Sequence, residues 1–412
     1  MKKLVICVII ILILVTSVAS AGFFEFVTGN PVRDNADAEP SFFNKFSIRE
    51  TLCGDGTCSL RERIFKICPE DCTWTQPNLC VTKQIIDSDA GDWGLNSNED
   101  YLVWYSMLPD LMDYDIFLYE YDTETTKQIT NDNNYYLEPK IYSNHIVWFK
   151  SNFNENDIYL YEISTGVTTQ ITNDGGYDKY PQIYGDYVGW EGRDGSLSEI
   201  FLYEISTGVT TQITDNVEED EDLQIFGDYV VWEGSTGWDE IFLYEISTGD
   251  TTQITDNDYN DWDPQIYGDY VVWDGGPQAH EIFLYDISTG MTTQITNDDY
   301  IDGNQQIFGD YVVWLKDDDN HEIFLYEIST GLTTQITDNN YDDFDHSIGS
   351  KFVAWKGNNN VYSYELDTGV TRNINKNSLY TDIPTTIETY GDRVVWIASD
   401  NSGQYEIFSW TC

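Results

Sequence analysis

An all-β fold, an eight-bladed β-propeller with four-stranded blades, is predicted by three observations on the sequence. A tryptophan recurs every 41 to 44 residues, at Trp104, Trp148, Trp190, Trp232, Trp273, Trp314, Trp355 and Trp396. Each ends a short run that is too β-branched and aromatic for a helix, and a second run, Ile-Phe-Leu-Tyr or a degenerate version, follows it. A third run, Thr-Thr-x-Gln-Ile-Thr, ends most units. Repetition at a period of about 40 residues with four strands per unit is the signature of a propeller.

The unit Pro264–Thr296 shows how each blade is predicted to form. Its strands include Tyr270–Trp273 and Ile282–Tyr285, separated by turns of the type Tyr-Gly-Asp and Ile-Ser-Thr-Gly. Gly supplies positive φ and Asp or Ser binds the turn backbone. The repeated aspartates of these turns are therefore predicted to be structural: Asp186, Asp228, Asp269, Asp310 and Asp392.

The chain ends before its last blade is complete, and the missing strand stands at the other end of the repeats. The segment Val81–Ile86 resembles the third run and precedes the first Trp strand. Pairing it with 405–412 would close the ring and remove an open sheet edge. Aligned on the repeat, Cys80 and Cys412 flank one turn, which predicts a disulfide between them.

The residues before the repeats predict an exported protein. Residues 1–21 have the basic, apolar and small-residue parts of a secretory signal peptide, and an uncleaved membrane anchor is the alternative. Residues 22–51 lack periodicity and are predicted to be a flexible tether. The expected location is the cell surface or the extracellular medium.

Residues 52–79 form a cysteine-dense module, and 80–412 form the propeller. Four cysteines lie within twenty residues of the module: Cys53, Cys58, Cys68 and Cys72. Two disulfides are favoured over a metal site, because the compartment is oxidising and the spacing lacks a Cys-x-x-Cys pair. The connectivity among the four stays open.

The charge excludes some partners. The chain has 72 acidic and 20 basic residues, a formal net charge of −52. Such a surface repels nucleic acid and anionic lipid and attracts cations. We therefore expect no nucleic-acid partner, a membrane contact only through an uncleaved N-terminal segment, and a monomer.

Two motifs carry resemblances. Cys53–Cys72 resembles the CGDGxC…CPxDC modules of archaeal and bacterial surface proteins. The repeats Ile266–Trp273 and Ile282–Gly290 resemble the TolB-like propeller repeat, and more closely that of archaeal cell-surface proteins, over about residues 80–412. The resemblance implies an exported binding or structural module and carries no catalytic motif.

The candidate binding face is the rim that bears the variable loops. Loops after the Trp strands and between blades vary, and recognition usually lies in variable loops on a rigid scaffold. Aromatic side chains beside carboxylates on this face have the chemistry of sugar stacking with hydroxyl hydrogen bonds. The candidates are Tyr180, Trp262, Phe344, His280 and His321. Packing between neighbouring loops is the alternative for each aromatic, and repeat duplication explains the two histidines.

The same loops are acid-rich, which makes calcium the candidate ion; no other cofactor is expected. Hard oxygen ligands at alternating positions suit Ca²⁺, although no loop matches the EF-hand spacing. The candidate ligands are Asp256, Asp258, Asp261 and Asp263 in one loop and Asp338, Asp342, Asp343 and Asp345 in another. Solvation and turn formation are the alternative, since Asp and Asn are ordinary loop residues.

The expected function is non-catalytic binding of an extracellular protein or glycan through this face. No Ser-His-Asp or Cys-His set can be assembled from the sequence, so we expect no enzyme. The alternative is an extracellular glycan-active hydrolase or lyase that uses carboxylates of the same face.

Overall fold

A computed structural model describes residues 80–86, 91–107, 113–152, 155–194, 197–375, 386–399 and 405–412. All of these belong to one unit, Leu79–Cys412. The predicted signal segment, the tether and the module with Cys53, Cys58, Cys68 and Cys72 lie outside the described residues. No described residue belongs to a helix long and apolar enough to cross a membrane.

The described residues form β-strands throughout, as the periodicity predicts. The first strands in chain order are β1 (Val81–Gln84), β2 (Gly91–Ser97), β3 (Tyr101–Met107), β4 (Tyr114–Glu120), β5 (Thr125–Gln128), β6 (Tyr135–Tyr142), β7 (His145–Ser151), β8 (Asn156–Glu162), β9 (Val167–Gln170), β10 (Lys179–Tyr184), β11 (Tyr187–Asp194), β12 (Leu197–Glu204) and β13 (Val209–Gln212).

The later strands repeat this pattern, in which three longer strands are followed by a strand of four residues in most units. They are β14 (Asp220–Phe226), β15 (Tyr229–Ser235), β16 (Asp239–Glu245), β17 (Asp250–Gln253), β18 (Asp261–Tyr267), β19 (Tyr270–Gly275), β20 (Glu281–Asp286), β21 (Met291–Gln294), β22 (Ile301–Phe308), β23 (Tyr311–Asp317), β24 (His321–Glu327), β25 (Leu332–Gln335), β26 (Asp343–Ile348), β27 (Phe352–Gly357), β28 (Asn360–Glu365), β29 (Val370–Asn373), β30 (Thr386–Tyr390), β31 (Arg393–Ser399) and β32 (Tyr405–Thr411).

Each repeat unit folds as an antiparallel meander of four strands. Five sheets have their strands in chain order, β10 to β13, β14 to β17, β18 to β21, β22 to β25 and β26 to β29. The units β2 to β5 and β6 to β9 are joined into one sheet by a single parallel pair, Tyr114 with Tyr135. The first strands of consecutive units contact one another from β2 through β6, β10, β14, β18, β22 and β26 to β30, and β30 contacts β2. The circuit of first strands therefore closes on itself.

The last sheet is completed by the N-terminal strand. Its order is β1-β32-β31-β30, and Val81 stands opposite Thr411 in the antiparallel register. The Thr82 hydroxyl donates to the Ile374 carbonyl of the preceding sheet at 2.6 Å. Cys80 and Cys412 are joined by a disulfide across 332 positions of sequence. The predicted closing strand and bridge are both present.

The hydrophobic core lies between consecutive sheets. In one such layer Val231 and Ile241 of one sheet pack with Ile266, Val271 and Trp273 of the next. The repeated tryptophans are its largest members and are almost completely buried. Since each sheet covers a face of its neighbour, no sheet is stable alone and the repeats must stack.

Each buried indole N–H needs a hydrogen-bond acceptor, and an aspartate twelve residues earlier supplies it in most units. The Nε1–Oδ1 distances are 2.9 to 3.1 Å in the pairs Trp104–Asp92, Trp190–Asp178, Trp232–Asp220, Trp273–Asp261 and Trp314–Asp302. Burial raises the pKa of Asp178, Asp261, Asp302 and Asp343 to about 6. Those carboxyls are part of the scaffold.

One of these carboxyls gives a pH prediction. Asp302 is fully buried and its Oδ2 has no hydrogen-bond partner. Because burial raises its folded pKa to about 6, its stabilising contribution is complete below the unfolded pKa of about 3.9 and is lost as the pH rises through 6. Asp302→Asn should therefore melt at a higher temperature than the wild type at about pH 8 and at a similar temperature at about pH 4.

The matched control for this variant is Asp299→Asn, since Asp299 is exposed in the linker just before β22. It should follow the wild-type melting curve at both pH values. Parallel pH profiles for Asp302→Asn and the wild type would contradict the buried-carboxyl explanation.

Candidate functional site

The two ends of the sheets differ in chemistry, and one is occupied by structural turns. The Tyr-Gly-Asp turn of a unit is tied to its Ile-Ser-Thr-Gly turn, because Oδ1 of Asp186, Asp228 and Asp310 accepts a backbone N–H from Ser206, Ser247 and Ser329 at 2.9 to 3.1 Å. These aspartates are structural, as predicted. The opposite end, where the first strands begin, bears the loops after the Trp strands and is called here the loop face.

Seven of the eight first strands have a register shift near the loop-face end, and β30 is the exception. The residue at this bulge has positive φ in successive units, and only the first of them is glycine: Gly94, Glu138, Tyr180, Asp222, Asp263, Asn304 and Asp345. A left-handed non-glycine residue costs of the order of 1 kcal/mol. The repeat thus places mostly acidic or polar side chains, at some cost, in a row around the inner edge of the loop face.

The structure brings two predicted residues, Trp262 and His280, into contact. Their ring centroids are 4.7 Å apart. The Trp262 indole N–H donates to Asp239 Oδ2 at 3.0 Å, and His280 Nδ1 lies 2.8 Å from Asp274 Oδ2. Together with Glu233 these residues are called the Trp262 cluster.

The carboxyls of the Trp262 cluster have shifted pKa values. Burial, with Asp239 and Asp222 nearby, raises the pKa of Glu233 to about 8. Burial also raises the pKa of Asp274, against the opposing effect of His280. Near neutral pH a protonated carboxyl thus stands in the same cluster as an imidazole–carboxylate pair, an arrangement suited to hydrogen bonding and proton transfer.

Phe344 and His321 form a second, more open pair of predicted residues. Their ring centroids are 5.3 Å apart, and His321 Nδ1 lies 3.5 Å from Asp342 Oδ1. Asp342, the acid beside His321, is exposed, whereas Asp274, the acid beside His280, is buried. Tyr180 joins neither pair: it is half exposed, and the Lys179 ammonium lies 4.6 Å from its ring centroid. The five predicted ligand-binding residues therefore occupy three places on the loop face.

The predicted calcium ligands fall into different environments. Asp261 and Asp343 are buried at the start of β18 and β26, where they accept hydrogen bonds from Asn257 Nδ2 and Asn339 Nδ2. The exposed members are Asp256, Asp258, Asp263, Asp338, Asp342 and Asp345. Among the described residues no group of three or more His, Cys, Asp or Glu is placed to hold a metal ion. Calcium binding stays a prediction, without support from the geometry.

Trp262, Phe344 and Tyr180 were assigned to the variable loops, and this placement is wrong. The strands begin earlier and include all three residues, in β18, β26 and β10. Pairing through a bulge lets a polar Asp-Trp-Asp segment enter the sheet, which an alternation of apolar and polar residues does not reveal.

A tier of polar side chains on the first strands was not predicted by the sequence analysis. By register these residues are equivalent: Asn96, Lys140, Gln182, Gln224, Gln265, Gln306, Ser347 and Glu388. Asn96 accepts the Ile141 N–H, and Gln306 bonds His346 O and Ile348 N, so the amides link neighbouring first strands. Burial raises the pKa of Glu388 to about 7, against the opposing charge of Lys140.

A collar of aromatic rings at the Tyr-Gly-Asp end of the sheets was also not predicted by the sequence analysis. Consecutive ring centroids are 4.5 to 4.6 Å apart along Tyr142, Tyr184, Phe226, Tyr267 and Phe308. Tyr390 raises the pKa of Tyr184 together with Tyr142 and Tyr267, although burial is the larger cause. The sequence signal was the aromatic that precedes Gly-Asp in most of these turns, although Tyr142 precedes Ser-Asn instead.

No family model and no curated protein matches the chain. Solved structures do. Dipeptidyl peptidase 4 of Porphyromonas gingivalis is similar with a TM-score of 0.55 and 11% identity, over 79% of this chain and 59% of that one. The β-propeller domain of the Trilobed protease from Pyrococcus furiosus is similar with a TM-score of 0.52 and 10% identity, over 69% of this chain and 95% of that domain.

These likenesses show the fold: the chain contains a β-propeller, as predicted. The Pyrococcus domain is described as having an open velcro topology, whereas here β1 completes the last sheet. TolB from Acinetobacter baumannii is also similar, at 17% identity over 57% of this chain and 63% of that one. Its TM-score of 0.39 is too low to support a conclusion about the fold.

The comparisons correct the expected function. Other similar structures include puromycin hydrolases, prolyl endopeptidases and an acylaminoacyl peptidase. The expectation of a non-catalytic binding protein, with a glycan-active enzyme as the alternative, is wrong by this finding. The chain spans 55 to 59% of the length of the first peptidases and hydrolases it matches, so any activity of theirs is a proposal for this protein.

Proposed function

We propose that this protein acts in extracellular peptide hydrolysis, with its propeller as the part that receives the peptide. The fold is shared with peptidases over most of the described chain. In the described residues no serine hydroxyl or cysteine thiol donates a hydrogen bond to a histidine. The support for this role therefore does not come from a nucleophilic triad. The observation that carries the proposal is the Trp262 cluster.

The cluster offers a peptide three kinds of contact. The face of Trp262 can pack on an apolar side chain or a cation. The carboxyls of Asp239 and Glu233 can accept or donate a hydrogen bond to a peptide group. His280, about one-third exposed, is held at Nδ1 by Asp274, which leaves Nε2 as the candidate general base for an attacking water or for a nucleophile supplied outside the described residues.

The test is a peptidase assay on the purified full chain with a panel of fluorogenic peptides, beside a binding measurement on the same peptides. The expected result is turnover that falls at least tenfold in His280→Ala. His321→Ala is the matched control, because His321 occupies the equivalent position but faces an exposed acid, and it should keep wild-type turnover.

The outcomes separate two forms of the role. Turnover that depends on His280 assigns hydrolysis to this chain, and binding without turnover assigns it the reception of peptide for a separate catalytic domain. A wild-type chain that neither binds nor cleaves any peptide would contradict the proposal.

The proposal also includes the number of blades and the location of the protein. We infer eight blades, because the circuit of first strands has eight members and the N-terminal strand completes the last sheet. An exported location is supported by the disulfide at the ring closure, since disulfides persist in oxidising compartments. The partner is then an extracellular peptide or protein. The monomeric state and the absence of nucleic-acid binding stay predictions.

A further inference from the structure

A cavity of about 360 Å³ opens among the first strands β22, β26 and β30. This volume lies within the range typical of ligand pockets. The residues used below are Asn304, Leu315, Phe344, His346, Thr386 and Ile387, all on its wall.

His346 is the unusual member of this wall. The side chain is 96% buried (4% exposed), and neither ring nitrogen has a hydrogen-bond partner. Burial lowers its pKa to about 4, although the backbone of Asn304 and Val313 acts in the opposite direction. The ring is therefore neutral at physiological pH, with one N–H and one lone pair.

The lone pair of His346 requires a donor. Backbone carbonyls only accept, so Asn304 and Val313 cannot satisfy it whichever tautomer is present. A buried acceptor without a donor costs about 1 to 3 kcal/mol. Both ring nitrogens have almost no solvent-accessible surface, so a group with an N–H or O–H would recover that free energy only by packing directly against the ring.

The rest of the wall limits what can enter. Phe344, Leu315 and Ile387 give an apolar surface, and Thr386 adds a hydroxyl. Asp345, which also lines the cavity, is 3.4 Å from the Lys356 ammonium, so its charge is partly matched. An uncharged group with an apolar body and a polar N–H fits this surface better than an ion does.

We propose that this cavity is a peptide subsite, which takes one uncharged apolar side chain against Phe344, Leu315 and Ile387 and receives a backbone N–H of the peptide at the lone pair of His346. The inference rests on the proposed function and names a part of its substrate specificity. It also explains why a histidine is buried at a position where the equivalent residues are mostly proline or apolar.

The experiment measures binding of two blocked peptides, acetyl-Gly-Leu-Gly-amide and acetyl-Gly-Gly-Gly-amide, to the full chain. Their lack of charge removes attraction to the acidic loop face. The wild type should bind the leucine peptide at least tenfold more tightly. Leu315→Trp, which fills the cavity, and His346→Phe, which removes the acceptor, should abolish that preference. Phe149→Trp is the control, because Phe149 holds the position of Leu315 in another sheet.

A second measurement does not depend on the folding of a variant. The chain has four histidines, and the imidazole ¹⁵N signals of the wild type can be followed by NMR as the leucine peptide is added. The His346 signal is assigned through its connectivity to the backbone resonances, and its unprotonated nitrogen should shift upfield as it accepts a hydrogen bond.

The results distinguish the two proposals. If the wild type prefers the leucine peptide but both variants keep the preference and the ¹⁵N signal does not move, the cavity holds water only and the subsite is wrong while the proposed function stands. If the wild type binds and cleaves no peptide of any kind, both fail.

Discussion

Replacing Cys412 by serine is expected to lower the free energy of unfolding by roughly 5 kcal/mol, the value that loop-closure entropy gives for a very long loop. The bridge joins residues 332 positions apart, so the unfolded chain regains much freedom when it is lost. Strand β1 is short and exposed, and without the bridge it would be held by its pairing with β32, the Thr82–Ile374 hydrogen bond and the Lys83–Glu124 ion pair. Denaturant unfolding of the full chain measures the change.

The control is the pair Cys80→Ser and Cys80→Ser/Cys412→Ser. All three variants remove the same bond, so all should unfold at the same denaturant concentration, and the double variant should add nothing. Mutants are preferable to a reducing agent, which would also reduce the disulfides predicted among Cys53, Cys58, Cys68 and Cys72. A loss below about 1 kcal/mol would show that β1 closes the ring without the bridge.

Trp273→Ala is expected to cost about 3 to 5 kcal/mol from the lost burial and the cavity. The side chain is 1% exposed and packs between two sheets. The change also removes the donor at 3.1 Å from the buried Asp261 carboxyl, which adds the cost of an acceptor left with one partner fewer. Thermal and denaturant unfolding should both report the loss.

Trp273→Phe keeps most of the ring and removes the N–H, so it should cost less than the alanine variant and report the hydrogen bond. Trp238→Ala is the control, because Trp238 is 48% exposed in a loop, and it should change stability by less than about 0.5 kcal/mol. Equal losses for Trp238 and Trp273 would contradict the role assigned to the repeated tryptophans.

The scaffold could be predicted because its signals are local and repeated. The spacing of the tryptophans gave the strands, and the missing last strand pointed to Val81–Ile86. The placement of Cys80 and Cys412 in the repeat then gave the disulfide that the structure contains. Each of these inferences needs only the alignment of one unit on another.

The site was harder to predict because its contacts join different units. The contact of Trp262 with His280 lies within one unit, but its partner Asp239 comes from the preceding sheet. Asp261 was grouped with exposed loop acids, although it is a buried acceptor. The aromatic collar forms only when neighbouring first strands lie side by side, and so does the environment of the unpartnered His346 ring. The sequence of a single repeat does not indicate which residues of different units come into contact.

Photo-crosslinking tests the central claim most directly, namely that peptides are received at the loop face of the propeller. Benzophenone-bearing peptides would be irradiated with the full chain and the modified residues identified by mass spectrometry, with excess unlabelled peptide as the competitor. The prediction is competed labelling near Trp262 and in the cavity beside Phe344 and Ile387. Labelling confined to the Tyr-Gly-Asp turns or the outer strands, or labelling that competitor does not reduce, would contradict it.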